Sequence, residues 1–176
     1  MAHEKRALLV IDLQNDYFPG GGFPLWNPEE TLANVEQAIA QANKQQIPVV
    51  LVQHVARGKK GGFLDENTPG VEIHPRIRAA APDAKVVEKA FADSFWQTNL
   101  EETLQQLGVE ELLVCGMMTQ NCVTHTAISK TAEKYKISVL PECCTTVSEI
   151  LHKIALGAMS TRVALVPSAT ALGNSN

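Results

Sequence analysis

The chain has 176 residues, of which 45% are hydrophobic and 19% charged, and its formal net charge is -4. This length and composition suit one globular domain over residues 1–176, and the mild acidic excess gives no support to nucleic-acid binding. The N-terminal apolar run is short and no apolar stretch reaches the length of a bilayer span, which predicts a cytoplasmic protein with no membrane partner.

Apolar runs of strand length alternate along the chain with amphipathic, helix-like segments. The first helix is predicted to begin at NPEE, where Asn27 can cap it, Pro28 suits its first position and Glu30 completes a capping box. A second capping box, Thr98 to Glu101, predicts a helix that stops at Gly108. Further helices are predicted over 121–135 and 148–160, and the predicted strands are RALLVI (6–11), VVLVQHV (49–55), AKVVEK (84–89), ELLVCG (111–116), ISVLP (137–141) and RVALV (162–166).

This alternation predicts an α/β fold, a single-domain, three-layer αβα arrangement around a mostly parallel six-stranded sheet. Right-handed crossovers make 3-2-1-4-5-6 the commonest strand order for such a chain. The first and fourth strands are then neighbours where the winding reverses, and ligands bind outside the carboxyl ends of the strands at that point. Asp12 ends the first strand and Cys122 follows the fourth, so the topology alone brings these two residues together.

Cys122 lies where the fourth strand gives way to a helix. A free cysteine is often simply buried, but a thiol at a helix start meets unpaired N–H groups and the positive end of the helix dipole, which favour the thiolate. The same N–H groups can stabilise the oxyanion that forms when sulfur attacks a carbonyl. Asp12 can accept the thiol proton, and Lys89, after the third strand, can moderate the two negative charges.

The other cysteines and the loops give little sign of a cofactor. Cys115, Cys143 and Cys144 show no metal-ligand spacing such as CxxC and are predicted to be free thiols. The sequence has no GxGxxG after the first strand and no GxxxxGK[ST], so no nucleotide cofactor is predicted. The basic run from Arg57 to Lys60 is predicted to be a solvated loop.

Three groups of motif residues occur in order along nearly the whole chain. They are Asp12-Leu13-Gln14-Asn15-Asp16-Tyr17, then Lys89 with Ser94-Phe95 and Thr98-Asn99-Leu100-Glu101, then Gly116-Met117-Met118-Thr119-Gln120-Asn121-Cys122-Val123 with Thr126-Ala127. Together they resemble the isochorismatase-like cysteine hydrolases, a superfamily that includes nicotinamidases and other small-amide hydrolases. The resemblance implies a catalytic triad of Asp12, Lys89 and Cys122, and it implies the homo-oligomers that are common among these proteins. It also implies an oxyanion hole from the N–H groups of Met118 and Cys122, with a cis peptide at Met117-Met118.

The predicted strand order separates Lys89 from the rest of that triad. Lys89 lies two strands away from Asp12, at about 10 Å by the usual strand spacing. We expect residues 90–97 to bend back over the sheet, so that the lysine can reach the thiol.

The chain departs from the nicotinamidases after the second strand, where those enzymes usually carry an Asp-x-His metal motif. Residues 52–56 contain no such pair, so no metal is predicted, although His54 and His74 could still meet in space. Nicotinamide becomes a less favoured substrate for the same reason. The residues interpreted instead as polar or aromatic groups of a substrate pocket are Gln14, Tyr17, Gln53, His54 and Phe95.

The leading hypothesis is a metal-independent hydrolase of a small-molecule amide or related carbon–nitrogen bond, which acts through a thioester on Cys122. A second hypothesis is hydrolysis of a vinyl ether of the isochorismate type, in which Asp12 is the acid and no sulfur nucleophile is needed. A third is a binding scaffold of the same fold without catalytic activity. The identity of the substrate does not follow from the sequence.

Overall fold

A parallel sheet with flanking helices forms the frame of the molecule. The computed structural model describes residues 5–58 and 61–173, so Lys59 and Lys60 of the predicted basic loop lie outside the described residues. The strands are β1 (Arg6–Ile11), β2 (Val49–His54), β3 (Lys85–Lys89), β4 (Glu111–Met117), β5 (Lys136–Thr145) and β6 (Ala164–Leu165). The helices are α1 (Pro28–Lys44), α2 (Pro75–Ala80), α3 (Leu100–Gln106), α4 (Thr124–Ala127), α5 (Glu149–Met159) and α6 (Ser168–Ala171).

The strand order is 3-2-1-4-5-6 and all the pairings between these strands are parallel, which confirms the predicted fold class and topology. Residues 7–11 of β1 and all of β4 are buried, as expected for strands covered on both faces. These two strands pair in register from Arg6 with Glu111 to Ile11 with Gly116. The segments that follow β1 and β4 therefore start side by side at one edge of the sheet.

Gly116 permits the close approach of β1 and β4 at that edge. Its φ is +127°, and a Cβ atom built there would lie 2.0 Å from the carbonyl oxygen of Ile11. Only glycine fits such a backbone without strain.

The predicted helix over residues 121–135 is wrong in its extent. A π-helical turn, Thr119–Val123, leads into the short helix α4, and a separate 3-10 turn covers Thr131–Lys134. Side-chain hydroxyls in this stretch bond outside a regular helix. The Thr124 hydroxyl donates to the carbonyl of Thr119 (2.6 Å), and the Ser129 hydroxyl donates to Asp93 (2.7 Å). Such bonds compete with the helical backbone and shorten the helix.

Several element boundaries also differ from the sequence prediction. β5 continues past Pro141 to Thr145, with an irregularity in its register beside β4, and β6 is reduced to two residues at the sheet edge. The helices α2 and α6 were not predicted. Pro75 opens α2, and the His74 ring caps it by accepting a hydrogen bond from the N–H of Arg76 (3.2 Å).

Neither predicted capping box forms as expected. Asn27 precedes α1 in a left-handed conformation, and its amide donates to the Glu30 carboxylate (2.7 Å) instead of capping the backbone. The hydroxyl of Thr98 accepts from the N–H of Leu100 (3.2 Å), while Glu101 forms an ion pair with Lys134.

Over the described ranges, the structure contains no helix with the length and apolar character required for a membrane span.

Candidate active site

Three predicted residues meet at the carboxyl edge of the sheet. Asp12 directly follows β1, Lys89 is the last residue of β3, and Cys122 lies in the π-helical turn after β4. The Lys89 Nζ is 3.0 Å from Asp12 Oδ2 and 3.3 Å from Cys122 Sγ. Asp12 is fully buried, and Lys89 and Cys122 are each 3% exposed. A carboxylate, an ammonium and a thiol are thus held together with almost no solvent between them.

Asp12 has an unusual backbone conformation. Its φ is +56°, which is uncommon for a residue with a side chain, and its N–H donates to the carbonyl of Val52 (3.0 Å). A residue keeps such a conformation only when its surroundings enforce it, and these positions cluster at functional sites.

Lys89 reaches the triad by crossing the end of β2, which lies between β3 and β1. The segment after it contacts α4, and its expected bend over the sheet stays a prediction. The N–H of Ser94 donates to the Thr126 hydroxyl (2.9 Å), and the Thr126 hydroxyl donates to that of Ser94 (2.8 Å). These bonds tie the loop after the lysine to the helical segment after the cysteine, so the two catalytic candidates share one support.

The Lys89 ammonium has three directed hydrogen bonds. Nζ donates to the carbonyl of Phe91 (3.1 Å) and to Cys122 Sγ, and it lies 2.9 Å from Nδ1 of His54. Asp12 Oδ2 is equally near, but its contact with the ammonium is an ion pair without a directed hydrogen bond. The positive charge of Lys89 therefore stabilises the Asp12 carboxylate, while both oxygens of Asp12 stay available to accept a proton.

The charge states differ from the sequence prediction in one respect. Burial raises the pKa of the Cys122 thiol well above its usual range. The negative charge of Asp12 raises this pKa further, whereas the positive charge of Lys89 lowers it. The prediction of a resting thiolate is therefore wrong, because burial and the charge of Asp12 outweigh the positive charge of Lys89. Burial alone would lower the pKa of Lys89, but Asp12 and Cys122 outweigh burial and raise it. The resting triad is a carboxylate, an ammonium and a neutral thiol.

Met118 and Cys122 flank the position where an oxyanion would lie according to the resemblance. The peptide bond between Met117 and Met118 is cis. The carbonyl of Met118 accepts hydrogen bonds from the N–H groups of Asn121 (3.0 Å) and Val123 (3.3 Å), which fixes the turn that carries Cys122. The oxyanion role of the two N–H groups stays a prediction.

The five predicted pocket residues have different surroundings. Gln14 is buried and its amide bonds to the backbone of His54 and Val71, and Gln53 also donates to the carbonyl of Val71 (2.9 Å). Phe95 is buried with its ring stacked on Tyr135. His54, which contacts Lys89, is the one of these five with a side-chain hydrogen bond to a triad member among the described residues.

Tyr17 is a buried member of an aromatic group beside the triad. Its ring packs edge-on against Phe63, with centroids 5.3 Å apart. Burial raises the pKa of its phenol, and the negative charge of Asp12 acts in the same direction. Tyr17 therefore stays neutral, and its side chain is packed in the buried core; its role in substrate binding stays a prediction.

Asp12, His54 and Cys122 could superficially form a metal site, since one donor atom of each lies within 4.8 Å of the others. The Lys89 ammonium, however, is in contact with all three residues. A positive charge in that position opposes a divalent cation by repulsion and by occupying its space. These residues do not fit a metal. His74 is absent from the cluster, because its ring caps α2 and packs on Phe18.

Asp16, which the sequence placed in the first motif, connects the loops next to the site. Its carboxylate accepts from the N–H groups of Gly22 (2.9 Å) and Leu64 (2.6 Å). Gly70 packs against the same carboxylate, and a Cβ atom at Gly70 would lie 2.1 Å from Asp16 Oδ1. One buried side chain thus holds together the loops that follow β1 and β2.

Gly70→Ala is expected to destabilise the protein by about 1–3 kcal/mol, because the added methyl group must displace the Asp16 carboxylate. Gly61→Ala is the matched control, since its nearest non-neighbouring atom is 4.0 Å away, and it should change stability by no more than about 0.5 kcal/mol. Thermal and denaturant unfolding of the two variants give the comparison. Equal stabilities would show that the loops do not depend on this contact.

The thiol has little open space around it. Three surface grooves of about 500–700 Å³ among the described residues lie elsewhere, lined in turn by residues such as Tyr135, Gln97 and Pro82. Cys122 is 3% exposed and lines none of these three grooves, so a substrate must be small to approach the sulfur.

Sequence reasoning missed the carbonyl of Phe91, the Ser94–Thr126 pair and the contact of His54 with Lys89. Backbone carbonyls leave no signal in a sequence. The His54 contact was accessible in principle, since His54 and Lys89 end two predicted neighbouring strands and are partners in the β2–β3 register.

Comparison with known proteins gives consistent matches. The isochorismatase domain family model matches residues 6–171. An uncharacterised isochorismatase family protein of Bacillus subtilis, YddQ, is 41% identical over 149 residues, which are 84% of this chain and 82% of the relative. Nicotinamidase 3 of Arabidopsis thaliana is 29% identical over 162 residues, 85% of this chain and 78% of that protein. The crystal structure of a candidate isochorismatase hydrolase from Oleispira antarctica has a TM-score of 0.88 at 27% identity, with 99% of each chain covered.

Proposed function

The chain belongs to the isochorismatase domain family, and on that premise we propose that it is a cysteine-dependent hydrolase of a small-molecule amide or related carbon–nitrogen bond. The observation that carries the proposal is the buried contact of Lys89 with both Asp12 and Cys122. The similarity to nicotinamidase 3, whose name describes an amide hydrolase, supports the same reaction class. We further propose that residues 1–176 form one such hydrolase domain.

The first step moves the thiol proton from Cys122 to Asp12. Before and after this transfer the triad has a net charge of zero, because a carboxylate becomes a carboxylic acid as the thiol becomes a thiolate. The raised pKa of Cys122 describes loss of the proton to water, which would leave an extra negative charge in a buried site. Transfer within the triad avoids that cost, and Lys89, at 3.3 Å, stabilises the sulfur anion as it forms.

The thiolate then attacks the amide carbon and a carbon–sulfur bond forms. The N–H groups of Met118 and Cys122 stabilise the oxyanion. The carbon–nitrogen bond breaks, and the departing amine or ammonia takes the proton from Asp12. In the second half, Asp12 accepts a proton from water as the water attacks the thioester, and the released sulfur regains that proton. The products are a carboxylic acid and an amine, and the triad returns to its initial state.

A trapped acyl group on Cys122 tests this proposal. The protein is incubated with a panel of small amides and ureido compounds, quenched with acid and examined by mass spectrometry, and hydroxylamine is added in parallel. We expect an adduct on the peptide that contains Cys122 and a hydroxamate product from interception of the thioester. Turnover that yields neither species contradicts a covalent thioester.

We also propose that the protein is cytoplasmic and forms homo-oligomers. Three apolar side chains near the start of α5 are exposed. They are Val147 (44%), which precedes the helix, and Ile150 (73%) and Ile154 (63%), which lie within it. Exposed apolar groups that lie one helical turn apart are typical of contact surfaces. Sedimentation of the purified protein measures the oligomeric state directly.

A further inference from the structure

We propose that His54 is a positioning residue that directs the Lys89 ammonium so that Asp12 remains free to accept the thiol proton; this role rests on the proposed hydrolase function. His54 ends β2 and is the register partner of Lys89 in β3. Because β2 lies between β3 and β1, the lysine side chain crosses the end of β2 on its way to Asp12 and Cys122. His54 Nδ1 meets it there, 2.9 Å from Nζ.

The hydrogen bonds of the ammonium account for all three of its protons. An ammonium can only donate, and its directed partners are His54 Nδ1, the Phe91 carbonyl and Cys122 Sγ. Asp12 Oδ2 lies 3.0 Å away without a directed bond. Two protons are held by acceptors that take no part in the chemistry, and the third is directed at the sulfur where negative charge develops.

His54 can serve as this acceptor only in its neutral form. Since Nδ1 accepts from Lys89, the ring proton of a neutral imidazole must be on Nε2. Three titratable groups face the ring, namely Lys89, Asp12 and Cys122. Burial lowers the pKa of His54 below 6.5 and Lys89 lowers it further, while Asp12 opposes the shift. The ring is therefore neutral at pH 7.

The backbone of His54 is fixed by Gln14, which is buried. Gln14 Oε1 accepts from the N–H of His54 (3.0 Å), and Gln14 Nε2 donates to the carbonyls of His54 (2.8 Å) and Val71 (2.7 Å). This clamp joins the segment after β1 to the end of β2. The position of His54, which accepts from Lys89, consequently depends on the same segment that carries Asp12.

Loss of the His54 acceptor would redirect the ammonium. The freed N–H has a carboxylate oxygen of Asp12 within 3.0 Å, and a charge-assisted hydrogen bond between them is strong. An Asp12 oxygen engaged in this way is a poorer acceptor for the thiol proton. The predicted defect is therefore in activation of Cys122, while substrate binding is affected less.

Three variants of one position test the proposal, with iodoacetamide as the probe of Cys122. Alkylation of Cys122 is followed by mass spectrometry at neutral pH. The Cys122→Ala variant measures the background from alkylation of the other cysteines. His54→Leu should slow alkylation by about 10–100-fold, the effect of one hydrogen bond to a charged group. His54→Asn can place an oxygen near the Nδ1 position and should retain most of the rate. His54→Gln, of similar size and polarity, places its acceptor farther out and should not.

The pH profile provides a readout that a purely structural role would not change. In the natural protein the alkylation rate should fall as the pH drops through the lowered pKa of His54, because protonated His54 can no longer accept from Lys89. In His54→Asn that loss should be absent, since asparagine does not titrate. Turnover of the amide identified by the panel should follow the same pattern, with the change in kcat larger than the change in KM.

The outcomes separate this inference from the proposed function. Equal rates and identical pH profiles for the Leu, Asn and Gln variants would overturn the positioning role, even if Cys122→Ala is inactive. Undiminished turnover by Cys122→Ala would instead overturn the proposed function, whatever the His54 variants do. Melting temperatures of the three variants identify any that fail to fold, and the Asn and Gln pair keeps the comparison valid if the Leu variant is lost.

Discussion

Cys122→Ala is expected to lower kcat/KM by at least about 10⁴-fold for any amide that the protein hydrolyses, the scale of loss known for removal of a covalent nucleophile. The carbon–sulfur bond is the first bond that forms in the proposed reaction, and a methyl side chain cannot form it. Asp12 and Lys89 remain in place, so substrate binding should persist. Steady-state kinetics and equilibrium binding of the same amide measure the two effects separately.

Cys115→Ala is the matched control for this variant. Cys115 lies on β4 and is fully buried in the hydrophobic core, and it is not among the hydrogen-bond partners of the Lys89 ammonium in the described residues. Both alanine variants should lose about 1 kcal/mol of stability, while only Cys122→Ala loses turnover. If Cys122→Ala hydrolyses isochorismate at the natural rate, the vinyl-ether reaction, with Asp12 as the acid, replaces amide hydrolysis as the function.

The fold was predictable because each strand carries its own signal. β1 and β4 are continuous apolar runs, and their alternation with amphipathic helices permits few topologies. The meeting of Asp12 and Cys122 follows from that topology without any side-chain detail. The segment after Cys122 was less predictable, because Thr124 and Ser129 have acceptors that only the folded chain brings within reach.

The charge state of the site could not be predicted from the sequence. A helix start favours a thiolate, but the extent of burial decides whether that effect prevails, and burial is a property of the packed molecule. The path of Lys89 across β2 is similarly a consequence of sheet register. The sequence predicts that His54 and Gln14 are polar residues of a pocket, whereas their hydrogen bonds with each other and the contact of His54 with Lys89 depend on how the chain folds.

Removal of either charge from the buried pair should reduce both stability and turnover. Asp12→Asn takes away the proton acceptor and Lys89→Met takes away the cation beside the sulfur, and each should lower kcat by about 10²–10⁴-fold. Each single variant also leaves one charge buried without its partner, which costs about 3–5 kcal/mol of unfolding free energy. As a control, Glu149→Gln and Lys153→Met break an exposed ion pair and should change stability by less than about 1 kcal/mol.

The double variant Asp12→Asn with Lys89→Met separates catalysis from folding. It replaces the ion pair by neutral groups of similar size, so most of the stability lost in the single variants should return. Turnover should not return, because neither the proton acceptor nor the cation is restored. A double-mutant cycle in urea unfolding and in kcat makes the two measurements on the same four proteins. If turnover recovers together with stability, Asp12 and Lys89 support the fold and the chemistry belongs to other groups.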